Sequence, residues 1–125
     1  MPHIAIITPE AAEGDLATLY RAIAGARGGV ADVHQVQSLN PRAMAAHFEF
    51  YKAVMFQPSS LSRRDREAIA VAVSRANGCE YCIAHHAAAL EALPGTPTDP
   101  RLLAWADRLA RDPASASDAD IRDLR

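Results

Sequence analysis

At 125 residues, half of them apolar and 22% charged, the chain has the size and composition of one compact domain, and no linker divides it. A net charge of -2 and a pI near 6.2 supply no cationic field for nucleic acid or an anionic membrane surface, and no apolar run approaches the roughly 20 residues of a membrane span. Alanine accounts for 27 positions, so the core is thin. Burial by self-association into a homo-oligomer is therefore expected.

The N-terminal stretch MPHIAIITPE has neither the basic start nor the long apolar region of a secretion signal, which places the chain in the reducing cytoplasm. Within it, residues 3–8 read as extended. From Glu13, the positions Leu16, Leu19, Tyr20 and Ile23 repeat at helical spacing up to a glycine stop over residues 25–29. Val33 and Val36 mark a short helix. Asn40-Pro41 forms an N-cap and first helical residue ahead of Met44, Phe48, Tyr51 and Met55, and Pro58 ends that segment. Ser62-Arg63-Arg64-Asp65 has the form of a capping box, with Asp in place of Glu. It opens a helix whose apolar side is read as Ile69, Val73 and Ala76, with Asn77-Gly78 as its stop. A further helix runs from about Cys79 to Ala92, before Pro94-Gly95-Thr96-Pro97. Pro100 begins another, with an apolar stripe of Leu102, Leu103, Ala106 and Leu109 and with Trp105 to one side. Ser117-Asp118-Ala119-Asp120 is a second capping box close to Arg125. The class is all-α.

Two cysteines, Cys79 and Cys82, in a reducing compartment point to redox chemistry or metal binding before a structural staple. At i and i+3 in the first turn of a helix they share one side, where free N–H groups and the helix dipole favour a thiolate. Lowering a thiol pKa from about 8.5 to about 6.5 raises the thiolate fraction near neutrality roughly tenfold. His86 lies four residues beyond Cys82, over the same face, where an imidazole can take the thiol proton and return it to a leaving oxygen. Glu67, on the preceding helix, is the candidate to orient His86. His85 is turned about 100° away and reads as a surface residue. Other readings of these positions are a zinc set of Cys79, Cys82, His85 and His86, or a non-catalytic metal-binding or assembly module. Ligands confined to two helical turns weigh against zinc. Arg63, Arg64, Asp65 and Arg66 read as a solvated helix start. Met44, Phe48, Tyr51, Met55 and Trp105 read as core or interface, and His3, His34 and His47 show no local partner.

Glu67, Asn77-Gly78, Cys79, Cys82 and His86 together resemble the Glu-x11-Cys-x2-Cys-x3-His core of the alkylhydroperoxidase D-like (AhpD-like) proteins of the carboxymuconolactone decarboxylase superfamily. The Ser62 to His86 segment looks most like its peroxidase-related branch. The resemblance implies a multi-helix AhpD-like bundle with Cys-x-x-Cys at the start of a central helix, and reduction of hydroperoxides by a cysteine pair cycling through a disulfide. Carried over, Cys82 attacks the peroxide, Cys79 resolves the sulfenic acid, and Glu67 with His86 relays protons. No bound cofactor is implied; an external dithiol or protein reductant completes turnover. The family also contains lactone decarboxylases, which use no cysteine pair. Tyr81 departs from the histidine that commonly precedes the second cysteine. A phenol donates a hydrogen bond to a thiolate but is a poor proton shuttle near pH 7, so Tyr81 and His85 are assigned supporting places. Members of this branch usually continue through a further helical segment, so residues 1–125 are expected to form one AhpD-like domain lacking its C-terminal helices.

Overall fold

The computed structural model describes residues 3–25 and 28–125. Among them every regular element is helical: α1 Gly14–Ala24, α2 Asp32–Gln35, α3 Pro41–Phe56, α4 Arg63–Ala76, α5 Glu80–Glu91, α6 Pro100–Arg111, a 3-10 turn Pro113–Ser115, and α7 Asp118–Asp123. The all-α expectation is met, and no described helix is long and apolar enough to cross a membrane. The predicted stop after α1 begins at Gly25, whose φ is +46°; residues 26 and 27 of that stop lie outside the described residues.

The chain divides into two compact units, Met1–Val54 and Met55–Arg125. In the first, Leu16, Tyr20 and Ile23 of α1 enclose Met44 of α3, which is fully buried. Residues 3–8 do not form a strand, because among the described residues no second extended segment pairs with them. Their backbone is held by side chains instead: the Ile7 N–H donates to Ser38 Oγ at 2.9 Å, and the Tyr20 hydroxyl donates to the Ile7 carbonyl at 2.7 Å. His34 and His47 correct the sequence reading. Their rings lie 5.3 Å apart, Gln37 Nε2 is 2.7 Å from His47 Nδ1, and buried His34 also meets Phe48 and Tyr51 edge-on. These partners are brought together by two helices, so spacing along either one did not reveal them.

In the second unit α4 packs against both α5 and α6. Its N-terminus carries the predicted capping box: Ser62 Oγ accepts from the Asp65 N–H, and Asp65 accepts from the Ser62 N–H. Helix α7 repeats the device with Ser117 and Asp120. The arginines here are not a solvated cluster. Arg64 donates to the Leu90 and Leu93 carbonyls at the end of α5, at 3.2 and 2.7 Å, while buried Arg66 donates to the Gln57 carbonyl and Ser59 Oγ, both at 2.6 Å. Carbonyls at and just beyond a helix end lack the donors of the next turn, and these two guanidinium groups donate to three of them. The buried residues of α4 are Arg66, Glu67, Ala68, Val71 and Ser74; Ile69, Val73 and Ala76 are only half-buried. A helix with two neighbours buries a wide face, and polar groups enter it when partners are supplied there.

Candidate active site

Helix α4 ends in a Schellman motif. The Gly78 N–H donates to the Arg75 carbonyl at 3.1 Å and the Cys79 N–H to the Ser74 carbonyl at 3.0 Å, with Gly78 at φ +64°. This left-handed residue satisfies the orphan carbonyls of α4 and reverses the chain in one step. Cys79 therefore becomes the N-cap of α5, where its Sγ accepts the Cys82 N–H at 3.3 Å. The two sulfurs are joined as a disulfide across Cα atoms 5.3 Å apart. Cysteines placed at the cap and one turn inside it satisfy the reach of that bond.

The packing of α5 on α4 sets the rest of the site. Glu67, whose side chain is 2% exposed, has one partner on each oxygen. The Arg63 guanidinium, one turn earlier on α4, pairs with Oε1, and His86 Nδ1 lies 2.7 Å from Oε2. A buried carboxylate is costly unless charge-paired and hydrogen-bonded, and here both conditions hold. Arg63 is itself seated, with its guanidinium carbon 4.2 Å from the Phe56 ring centroid, a cation–π contact. His86 stands one turn after Cys82, on the same face of α5, so the helix places the imidazole that pairs with Glu67 on the side that carries the second cysteine. With Nδ1 engaged by Glu67, Nε2 is the nitrogen left for chemistry.

Tyr81 and His85 stack nearly parallel, with centroids 6.3 Å apart. Both are exposed, and the His85 ring meets His86 edge-on at 5.4 Å. The structure thus brings Glu67 and His86 into contact, joins Cys79 to Cys82, and sets Tyr81 with His85 on an exposed face. Among the described residues no group of three or more His, Cys, Asp or Glu side chains is arranged to hold a metal ion. Arg63 is the member that the sequence reading missed. Its signal was present, since Arg and Glu at i and i+4 are neighbours on a helix, but that spacing is equally common on solvated faces.

A model of the carboxymuconolactone decarboxylase family matches residues 41–119. Two solved structures are similar over nearly the whole chain. An uncharacterised peroxidase-related protein from Silicibacter sp. TM1040 is 28% identical with a TM-score of 0.75, the match covering 99% of this chain and 71% of that one. An uncharacterised peroxidase-related protein from Ralstonia eutropha JMP134, described as an alkylhydroperoxidase AhpD core, is 25% identical with a TM-score of 0.77, covering 98% and 73%. No curated protein matches the chain.

Proposed function

The chain belongs to the carboxymuconolactone decarboxylase family, and from that premise we propose that it reduces hydroperoxides through Cys79 and Cys82. The observation that carries this reading is the 2.7 Å contact of His86 with buried Glu67, one helical turn from a cysteine that is disulfide-bonded to its neighbour. In the reduced protein Cys82 rests as a thiol, and His86 Nε2 takes its proton as the sulfur attacks the peroxide. An S–O bond forms, the O–O bond breaks, and the departing alkoxide takes a proton from His86, leaving an alcohol and the Cys82 sulfenic acid. Cys79 then attacks the Cys82 sulfur, expelling hydroxide that leaves as water, and the pair becomes the disulfide. An external dithiol returns two electrons and two protons. Tyr81 and His85 are assigned supporting places at the exposed margin of the site, with the His85 ring edge-on to His86.

The deciding experiment is peroxide consumption by the reduced protein with a dithiol donor. The wild-type chain is expected to turn over and to show a Cys79–Cys82 disulfide by mass spectrometry after peroxide treatment. Cys79→Ser is expected to consume about one equivalent and stop as a sulfenic acid, whereas Cys82→Ser is expected to be inert. Full activity in Cys82→Ser overturns the assignment. Consumption of a lactone acid with release of carbon dioxide, unaffected by either cysteine substitution, would instead favour the family's decarboxylase chemistry.

A further inference from the structure

We propose that Arg63 is a positioning residue that sets which nitrogen of His86 carries hydrogen, and so whether the site has a base. The inference deepens the peroxidase reading and rests on it for the chemistry, while its structural half is measurable by itself. The Glu67 side chain is 2% exposed, and its two nearest polar partners lie on opposite oxygens, Arg63 at Oε1 and His86 Nδ1 at Oε2. A guanidinium only donates hydrogen bonds and carries a permanent positive charge. With Arg63 positive and Glu67 negative, a neutral His86 leaves the trio, buried at its carboxylate and half-buried at its two partners, at zero net charge. The carboxylate at Oε2 is then an acceptor, so Nδ1 must be the N–H, and Nε2 is left with its lone pair free.

Removing the guanidinium leaves one unpaired negative charge in a buried place, and the Glu67–His86 pair restores neutrality by taking up one proton. Two arrangements are available. Either Glu67 becomes the acid and donates to Nδ1, or Glu67 stays ionised beside an imidazolium. In both, Nε2 bears hydrogen and the site has lost its base. Phe56 supports this role, because a guanidinium 4.2 Å from an aromatic centroid is held over the ring and does not wander along the exposed helix.

The test is ¹⁵N NMR of the His86 ring at pH 7.5, on the reduced and the disulfide forms, in the wild-type chain and in Arg63→Gln and Arg63→Lys. The wild type is expected to show protonated Nδ1 and free Nε2. Arg63→Gln is expected to move Nε2 to the protonated position and to slow peroxide reduction roughly 10–100-fold, the usual scale for a group that orients a reactive side chain. Arg63→Lys keeps the charge and is expected to retain free Nε2. A wild-type ring with hydrogen on Nε2, or free Nε2 persisting in folded Arg63→Gln, overturns the proposal. Should Arg63→Gln fail to fold, Arg63→Met, which keeps an apolar side chain against Phe56 and removes the charge, carries the same expectation, and a wild-type ring with hydrogen on Nε2 overturns the proposal by itself. If the wild type consumes no peroxide while its ring responds as expected, the positioning role stands and only the peroxidase reading fails.

Discussion

Cys79 and Cys82 lie a single helical turn apart, yet what surrounds each sulfur differs. Cys79 is the cap of α5, where its sulfur accepts an N–H and sits at the positive end of the helix dipole. Cys82 lies one turn inside that end, on the face of α5 that also carries His86, whose Nδ1 is 2.7 Å from Glu67. A thiolate-stabilising cap helps a sulfur that resolves a sulfenic acid, whereas attack on an O–O bond also needs a proton for the leaving oxygen. The division of labour predicts separable effects. His86→Gln is expected to slow peroxide reduction about 10²- to 10⁴-fold, the range for loss of a general acid–base group, while alkylation of Cys79 in a Cys82→Ser background changes little. Stopped-flow peroxide consumption and iodoacetamide labelling report the two quantities. A His86→Gln rate within a few-fold of wild type would remove the imidazole from the reaction. At this scale the cysteine spacing and the His86 step were legible because they are local to one helix. The Glu67 contact needs α4 packed on α5, and only the Glu-x11-Cys spacing pointed to it.

Both ends of α4 are defined by local devices, the Ser62–Asp65 box at one and the Schellman turn through Gly78 at the other. The second fixes where α5 begins, and hence that Cys79 is its cap. A Cβ at Gly78 would meet no atom within 4 Å, so the cost of Gly78→Ala is conformational and comes from its φ of +64°. That cost is about 1–2 kcal/mol for an L-residue with a side chain, and less for Asn, which tolerates the left-handed region. Urea unfolding followed by Trp105 fluorescence is expected to show this order, Gly above Asn above Ala; equal midpoints would mean that the turn has another way to close. Ser62→Ala is expected to lower stability by about 1 kcal/mol through loss of the cap. These boundaries were readable because caps and stops are written in adjacent residues. The buried face of α4 was not. Counting apolar side chains selected Ile69, Val73 and Ala76, whereas burial follows Glu67, Val71 and Ser74. Periodicity identifies the helix, but its neighbours decide which face is enclosed, and Arg63 and His86 allow a carboxylate to be there.

Across the whole molecule, acid should act on the two units in sequence. Burial, with the nearby charge of His47 second, holds the His34 imidazole below its ordinary value of 6.5. As pH falls through 6.5 the unfolded chain therefore takes up a proton that the folded first unit resists, and stability drains from that unit down to the lowered folded value. In the second unit the Asp65 carboxyl is held below 3.8, first by the hydrogen bond from the Ser62 hydroxyl, against the opposing effect of burial, with Thr98 helping. The stability this confers is complete above 3.8 and is lost only as pH falls toward the lower folded value. The units carry separate reporters. Trp105, the single tryptophan, belongs to Met55–Arg125 together with exposed Tyr81, whereas Tyr20 and Tyr51 belong to Met1–Val54, so in a Tyr81→Phe chain the tyrosine signal reports the first unit alone. Thermal melts of the Tyr81→Phe chain at pH 7.5 and pH 5 are therefore expected to show an earlier loss of tyrosine near-ultraviolet dichroism at pH 5, with the Trp105 transition in place until pH nears 4. His34→Phe, an uncharged ring among Phe48 and Tyr51, is expected to remove the first effect and leave the second. A tyrosine transition that does not move between pH 7.5 and 5, or one that keeps its pH response in His34→Phe, would show that the buried imidazole is not the group that senses acid.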